Sequence, residues 1–352
     1  MSKVLMKGNE AIAEAAIAAG CVYFFGYPIT PQTEVAEYMA KRLPKVGGLC
    51  LQAESEVAAI NMLMGASAAG TRAMTSSSSP GVSLKSEGIS YIAGCDLPCL
   101  VVNVQRGGPG LGGIQPSQQD YYQATRGVGH GDLRLIVLAP SSVQEMASLT
   151  AEAFDLADTY RMPAMLLADG ALGQMMEPVD FSVFPKRELP EKTWATNGTK
   201  GERKKNIVNS LFIDPNELED SIRARYERYA KVEADEVRYE EYMTDDADII
   251  LVAFGITARI AKSAIADMRK AGIKAGLLRP ITLWPFPKKK LGELADTAKV
   301  FLSVEMSMGQ MVDDVRLAVN GKRPVHFFGR TGGIIPSVEE VAAEIRKLAE
   351  AY

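Results

Sequence analysis

Short apolar runs alternate with helix-length segments through roughly the first 170 positions, the pattern of a parallel α/β sheet. The spacing predicts a helix over 9–19 closed by Gly20, then a strand through Val22-Tyr23-Phe24-Phe25 that stops at Gly26-Tyr27-Pro28. Thr30 before Pro31 reads as an N-cap followed by proline at the first helical position. The helix it opens turns Val35, Tyr38, Met39 and Leu43 inward. A strand ending near Leu51-Gln52 precedes a helix over 55–69 that is rich in alanine, glycine and serine and so suits a central or interface position. Further strands are expected at 73–76, 100–104, 135–138 and 164–167, each ending in a polar or glycine- and serine-rich loop. In open α/β sheets such loops build the ligand site.

From 181 to 245 charges and prolines rise and the strand pattern is lost. Asp214-Pro215-Asn216-Glu217 looks like a capped start to a charged helix running to about Tyr242. A second α/β unit begins at Ile249-Ile250-Leu251-Val252-Ala253, with a helix over 257–270 and strands at 275–278, 300–304 and 325–328. The expected fold is α/β, two doubly wound and mostly parallel domains at 1–180 and 246–352 joined by a charged connector at 181–245.

Composition narrows the possibilities. Hydrophobic residues make up 47% and charged residues 23%, ordinary for a globular protein. No apolar run approaches the ~20 residues that span a bilayer. The N-terminus turns polar at Gly8-Asn9-Glu10, too early for a signal-peptide core, so a cytoplasmic location is expected. A net charge of −4 leaves no footprint for nucleic acid, and Lys288-Lys289-Lys290 reads as a solvated helix start. The four cysteines, Cys21, Cys50, Cys95 and Cys99, form no C-x-x-C pair and sit among apolar neighbours, as buried free thiols do. With His130 and His326 the only histidines, a histidine metal centre or a Ser-His-Asp triad has little to work with, and no metal ligands are expected in this chain.

Five stretches can carry chemistry. In Gly26-Tyr27-Pro28-Ile29-Thr30-Pro31 the Thr30 hydroxyl is either an N-cap or a carboxylate contact. In Glu54-Ser55-Glu56 two acids precede an apolar helix; they complement its dipole, or Glu56, the one abutting the apolar run, is a partly buried functional carboxylate. Thr75-Ser76-Ser77-Ser78-Ser79-Pro80-Gly81 follows a strand and can face a polar ligand or simply make a turn. Gly108, Gly110 and Gly113 satisfy G-x-G-x-x-G, but Pro109 sits inside the motif and no helix opens after Gly113, which excludes a dinucleotide loop. Arg106 at the base of that loop either clamps a carboxylate or forms a structural ion pair. Gly129-His130-Gly131-Asp132 reads as a rigid turn.

Taken in order, Gly-Tyr-Pro-Ile-Thr-Pro at 26–31, Glu-Ser-Glu-Val-Ala-Ala at 54–59, Gly-Ala-Ser-Ala-Ala-Gly at 65–70, Thr-Ser-Ser-Ser-Ser-Pro-Gly at 75–81 and Gln-Arg-Gly-Gly-Pro-Gly at 105–110 resemble the alpha-type subunit of 2-oxoacid:ferredoxin oxidoreductases. The resemblance continues at 168–170, 278–287 and 329–333, and is strongest to the branched-chain (2-oxoisovalerate) enzymes, with 2-oxoglutarate enzymes next. It implies a thiamine-diphosphate pyrimidine-binding domain followed by a transketolase-C-like domain. It also implies coenzyme-A-linked oxidative decarboxylation of a 2-oxoacid, with electrons passed to ferredoxin. By the same resemblance Glu56, with Glu54 as fallback, hydrogen-bonds the aminopyrimidine ring, Tyr27, Pro28 and Ser79 border the cofactor, and Thr30 and Arg106 contact the 2-oxoacid carboxylate. The chain has no Gly-Asp-Gly segment followed by an Asn at the spacing that holds Mg²⁺ and the cofactor pyrophosphate, and its cysteines cannot supply a ferredoxin-like cluster domain. The implied partners are therefore a beta-type subunit carrying the Mg²⁺ site, gamma-type and ferredoxin-like delta-type subunits with the iron–sulfur clusters, and ferredoxin itself. A non-catalytic assembly subunit of the same fold is the rival reading.

Overall fold

The alternation of apolar runs and helices becomes two mostly parallel sheets. The computed structural model describes residues 3–184 and 187–352. In chain order its first part comprises β1 (Val4–Lys7), α1 (Gly8–Ala18), β2 (Tyr23–Gly26), α2 (Thr33–Arg42), β3 (Leu49–Gln52), α3 (Glu56–Ala68), β4 (Ala73–Ser77), α4 (Ser79–Gly94), β5 (Leu100–Gln105), β6 (Ile136–Leu138), α5 (Val143–Tyr160), β7 (Ala164–Asp169), α6 (Gly170–Gln174) and β8 (Met176–Val179). There follow α7 (Pro215–Asp235), β9 (Tyr239–Tyr242), β10 (Ile249–Val252), α8 (Gly255–Lys270), β11 (Ala275–Pro280), β12 (Thr282–Trp284), α9 (Lys288–Thr297), β13 (Val300–Glu305), α10 (Met311–Val319), β14 (Val325–Gly329) and α11 (Val338–Ala351).

The larger sheet has the order β12-β6-β7-β5-β4-β2-β3 and is parallel except for β12. Every residue of β4, β5 and β7 is buried, as expected for parallel strands covered on both faces. The inward positions read from the 33–43 segment are borne out for Val35, Met39 and Leu43, all fully buried, with Tyr38 packed at the margin. The smaller sheet runs β14-β13-β10-β11-β9 and is parallel except for β9. It has an apolar cluster of its own in which Ile265, Val304 and Ile345 are fully buried.

Several local expectations are corrected. The charged helix does not reach Tyr242: it ends at Asp235, and Tyr239–Tyr242 is an antiparallel edge strand on β11. The helical pattern yields there because Glu236 is drawn inward by the Tyr160 hydroxyl at 2.8 Å and by both arms of Arg187 at 2.6 and 2.7 Å. Thr30 is not an N-cap, since α2 begins at Thr33 and Gln32 occupies the capping position. The buried Gln32 side chain donates to the Tyr27 carbonyl and accepts from the Ser76 hydroxyl, which pins the loop and delays the helix. The β1–β8 ribbon was not legible in the sequence. Of the cysteines, Cys21 and Cys99 are buried free thiols, whereas Cys50 and Cys95 are half-buried.

The two sheets also exchange an element. β12 lies between strands of the smaller sheet in sequence, yet it pairs with β6 at the edge of the larger one.

Candidate active site

The site residues expected from the sequence lie at the C-terminal ends of parallel strands: 27–31 on the loop after β2, Glu56 at the start of α3 after β3, Ser79 at the start of α4 after β4 and Arg106 just after β5. Register makes them neighbours, since Gly26 pairs with Gln52 and Ser77 with Asn103. This is where an open α/β sheet binds its ligand.

Glu56 is the first residue of α3, which Ser55 caps by accepting from the Ala58 amide at 3.1 Å. Its side chain is only 6% exposed, and among the described residues no hydrogen bond reaches its carboxylate. The wall opposite is Gly81, in the first turn of α4. A methyl group there would sit 2.2 Å from Ser77 Oγ and 2.8 Å from Glu56 Oε1, so only glycine lets α4 come this close to the acid. Pro80 at the start of α4 gives up an amide that the first turn leaves unpaired in any case.

Beneath the acid the β4–β5 floor is polar. Thr75 and Ser77 are two apart on β4 and share a face with Asn103, the partner of Ser77. Thr75 Oγ1, Ser77 Oγ, Ser78 Oγ and Asn103 Oδ1 are all buried without a hydrogen-bond partner among the described residues. Ser77 Oγ and the Glu56 carboxylate both lie against Gly81, and four unpartnered atoms along β4 and β5 are more than a packed core tolerates. A polar heterocycle that accepts and donates at this wall, such as an aminopyrimidine, fits the donor set.

Ser79 turns to the other side. Its hydroxyl donates to Asp120 Oδ2 at 2.6 Å, and Asn103 Nδ2 donates to the same oxygen at 2.9 Å. Burial raises the proton affinity of Asp120, offset in part by these two donors. The Arg106 amide donates to Ser79 Oγ at 3.1 Å, which fixes the base of the glycine loop. From there the Arg106 guanidinium reaches the Thr30 carbonyl at 3.0 Å and the Leu111 carbonyl at 3.2 Å. Arg106 and Thr30 are thus brought together, but through the threonine backbone, and the Thr30 side chain is exposed. Tyr27 is half-buried and Pro28 exposed on the same loop.

Four further residues shape the site. Asp120, a polar residue in a loop, gave no sequence signal, and Asn103 opens the 103–113 stretch without a role of its own legible there. Gln118 and Gln119 tie the glycine loop to the smaller sheet: Gln118 donates to the Phe254 carbonyl at 2.7 Å, and Gln119 accepts from Gly108 at 2.8 Å while donating to Thr331 at 2.7 Å. The two glycine-bearing stretches at 105–110 and 329–333 therefore meet. A methyl on Gly333 would fall 2.3 Å from Gln115 Cβ.

Both parts of the chain match described protein families. Residues 14–244 match the family described as pyruvate flavodoxin/ferredoxin oxidoreductase, thiamine diphosphate-binding, and residues 247–341 match pyruvate:ferredoxin oxidoreductase core domain II. The chain belongs to the 2-oxoacid:ferredoxin oxidoreductase family, as the subunit with the thiamine-diphosphate-type α/β domain. It is 52% identical to a ketoisovalerate oxidoreductase subunit VorB of Methanothermobacter marburgensis, covering 99% of both chains. It is 36% identical to a 2-oxoglutarate synthase subunit KorA of Methanothermobacter thermautotrophicus, over 97% of this chain and 98% of that one. Among solved structures, a 2-oxoglutarate:ferredoxin oxidoreductase from Magnetococcus marinus superposes with a TM-score of 0.88 at 29% identity; the match covers 98% of this chain and 65% of that longer one. An inactive split-gene transketolase tetramer, at 13% identity and a TM-score of 0.59, shares the fold alone.

Proposed function

We propose that this chain supplies the pyrimidine-side half of a thiamine-diphosphate site in a multisubunit enzyme that oxidatively decarboxylates 2-oxoisovalerate, transfers the acyl group to coenzyme A and passes electrons to ferredoxin. The observation that carries the reading is Glu56: a buried, unpaired carboxylate held at a helix start against Gly81, over a floor of unpartnered hydroxyls. When bound, thiamine diphosphate supplies the carbon nucleophile and the electron sink for decarboxylation. Glu56 would share a proton with the cofactor's ring nitrogen, and Tyr27, Pro28 and Ser79 would border that ring. Arg106, with Thr30 beside it, receives the 2-oxoacid carboxylate. In this reading 1–180 is the pyrimidine-binding unit, 181–245 the connector and 246–352 the transketolase-C-like unit.

Mg²⁺, the pyrophosphate contacts and the iron–sulfur clusters come from partner chains, so the complete site lies between subunits in the cytoplasm. The branched-chain preference is supported by the 52% identity to a ketoisovalerate oxidoreductase subunit over the full length. A 2-oxoglutarate preference is the second reading, supported by the KorA relatives and the solved 2-oxoglutarate enzyme. The deciding experiment is co-expression with the partner subunits and an anaerobic assay of coenzyme-A-dependent viologen reduction on 2-oxoisovalerate, 2-oxoglutarate and pyruvate. Preference for the branched substrate carries the proposal, and preference for 2-oxoglutarate reassigns the substrate. No turnover by a fully loaded complex overturns the catalytic reading in favour of an assembly subunit.

A further inference from the structure

Lys85 is among the largest fully buried side chains of the protein, and its Nζ has no hydrogen-bond partner among the described residues. It lies on α4 four residues after Gly81 and three before Gly88, so all three share one helix face. That face packs on α3. Gly81 abuts Glu56, and a methyl on Gly88 would fall 2.4 Å from Ile60 Cγ2, with Glu56 and Ile60 themselves one turn apart. Lys85 therefore enters the α3–α4 seam between two glycines that bring the helices together, on the stripe that begins at Glu56.

Burying an ammonium without a partner is strongly unfavourable, and a methionine of similar length would fill the same space without that cost. Something other than packing must account for a cation here. The surrounding elements leave one candidate. On α4 itself Glu87 is exposed and engaged by Tyr91. Beyond β5, Asp120 is held by Ser79 and Asn103, and Arg106 is turned to Thr30 and Leu111. The facing ends of β4 and β5 are neutral. Glu56 is the charged group whose field acts on Lys85 and favours its protonated form.

We infer that Lys85 is a positioning residue for Glu56: its buried ammonium is the counter-charge that holds the carboxylate toward the cofactor's aminopyrimidine ring. The inference rests on the thiamine-diphosphate reading of the site. Burial weakens the hold of Lys85 on its proton, so that it titrates at about 8 against an ordinary 10.5. The positioning charge is therefore present at neutral pH and lost as pH rises past 8. The same shift has a stability consequence. A lysine whose folded value is depressed stabilises the fold only above its unfolded value, and that contribution is lost as pH falls through about 8. Lys85→Met should accordingly be more stable than wild type at pH 7, with the gap closing between about 8 and 10.5.

The test has two arms. In the full chain without cofactor, ¹³Cε-lysine NMR follows the Lys85 signal, identified by its loss in Lys85→Met. Glu56→Gln should move its midpoint down by about one pH unit, a tenfold weaker hold on the proton. In the assembled complex, hydrogen–deuterium exchange at the thiazolium carbon of thiamine diphosphate should be slowed tenfold or more by Lys85→Met. Wild-type exchange should decline as pH rises past about 8, that decline should vanish in Lys85→Met, and Lys85→Arg should restore part of the rate. An unmoved Lys85 midpoint in Glu56→Gln, or Lys85→Met exchange within twofold of wild type with the same pH profile, would overturn the inference. Exchange that persists in Glu56→Gln would instead sink the cofactor reading, while the measured coupling between the two side chains would stand.

Discussion

Asp169, the last residue of β7, accepts a hydrogen bond from the backbone amide of Ile256, in the first turn of α8, at 3.2 Å through Oδ2. Its other oxygen takes the Ala171 and Leu172 amides at 3.0 Å. One buried carboxylate thus caps two helices, one from each sheet, and stands at the joint between the two halves of the chain. Gly255, at φ +59°, makes the approach possible: a methyl there would lie 3.1 Å from Asp169 Oδ2.

Replacing Asp169 by alanine leaves three amides without an acceptor and should cost about 3 kcal/mol or more, read from urea or thermal unfolding. Burial raises the Asp169 value from 3.8 to about 6 despite those three donors. A carboxyl whose folded value is raised contributes stability that is complete below about 3.8 and is lost as pH climbs through about 6. The gap between wild type and Asp169→Ala should therefore narrow from pH 4 to pH 7. A gap that widened over that interval would show the carboxylate to be stabilised by its site.

Gly81→Ala should damage the site more than the fold. The added methyl meets Ser77 Oγ and Glu56 Oε1, and relieving that overlap costs ~1–3 kcal/mol of strain. The strain is relieved by pushing Glu56 away from the floor, so cofactor-dependent activity should fall by at least tenfold. A fully active, equally stable variant would show that the close approach of α4 to the acid is not needed.

Glu56→Gln keeps the volume and removes the ionisable group. If Glu56 exchanges a proton with the cofactor ring, 2-oxoacid-dependent viologen reduction by the complex should drop on the order of 10²–10⁴-fold. Stability should fall by only about 1 kcal/mol at neutral pH, the loss that accompanies a drop of about one pH unit in the Lys85 midpoint. Activity within tenfold of wild type would return the role to Glu54 or to a residue of a partner chain.

Arg106→Ala should raise the KM for the 2-oxoacid tenfold or more, about 1.4 kcal/mol, with a smaller effect on thiamine diphosphate affinity. Because the guanidinium also holds the Thr30 and Leu111 carbonyls, Thr30→Val is the sharper companion: it removes a hydroxyl and leaves the backbone acceptor in place. A raised KM in Thr30→Val assigns the hydroxyl to substrate, and an unchanged KM confines Thr30 to its carbonyl.

The parallel strands of both sheets were legible because most are short apolar runs bounded by polar loops, the pattern that burial between covering helices demands. Glu56 was legible for a related reason, an acid at the border of an apolar helix. Lys85 left a signal too, a lone charge on the inward stripe of α4 between Gly81 and Ile89. The pattern alone does not tell such a residue from a side chain that reaches back to solvent. The roles of Asp120 and Asn103 were not legible, because they come from a triangle with Ser79 that joins residues 17 and 41 positions apart.

Local chemistry therefore determined the α/β class, the order of the parallel strands' loops along the chain and the acid at the start of α3. Those follow from hydrophobic period, turn residues and capping, which act within a few residues. Only the tertiary structure decided that β12 completes the far sheet, that β9 is a strand in a segment patterned as helix, and that Arg106 meets the backbone of Thr30. It likewise decided that Asp169 caps a helix 87 residues away. Each of these is a pairing across long stretches of chain. Its free energy is gained only when both partners are buried together, so neither local sequence has to announce it.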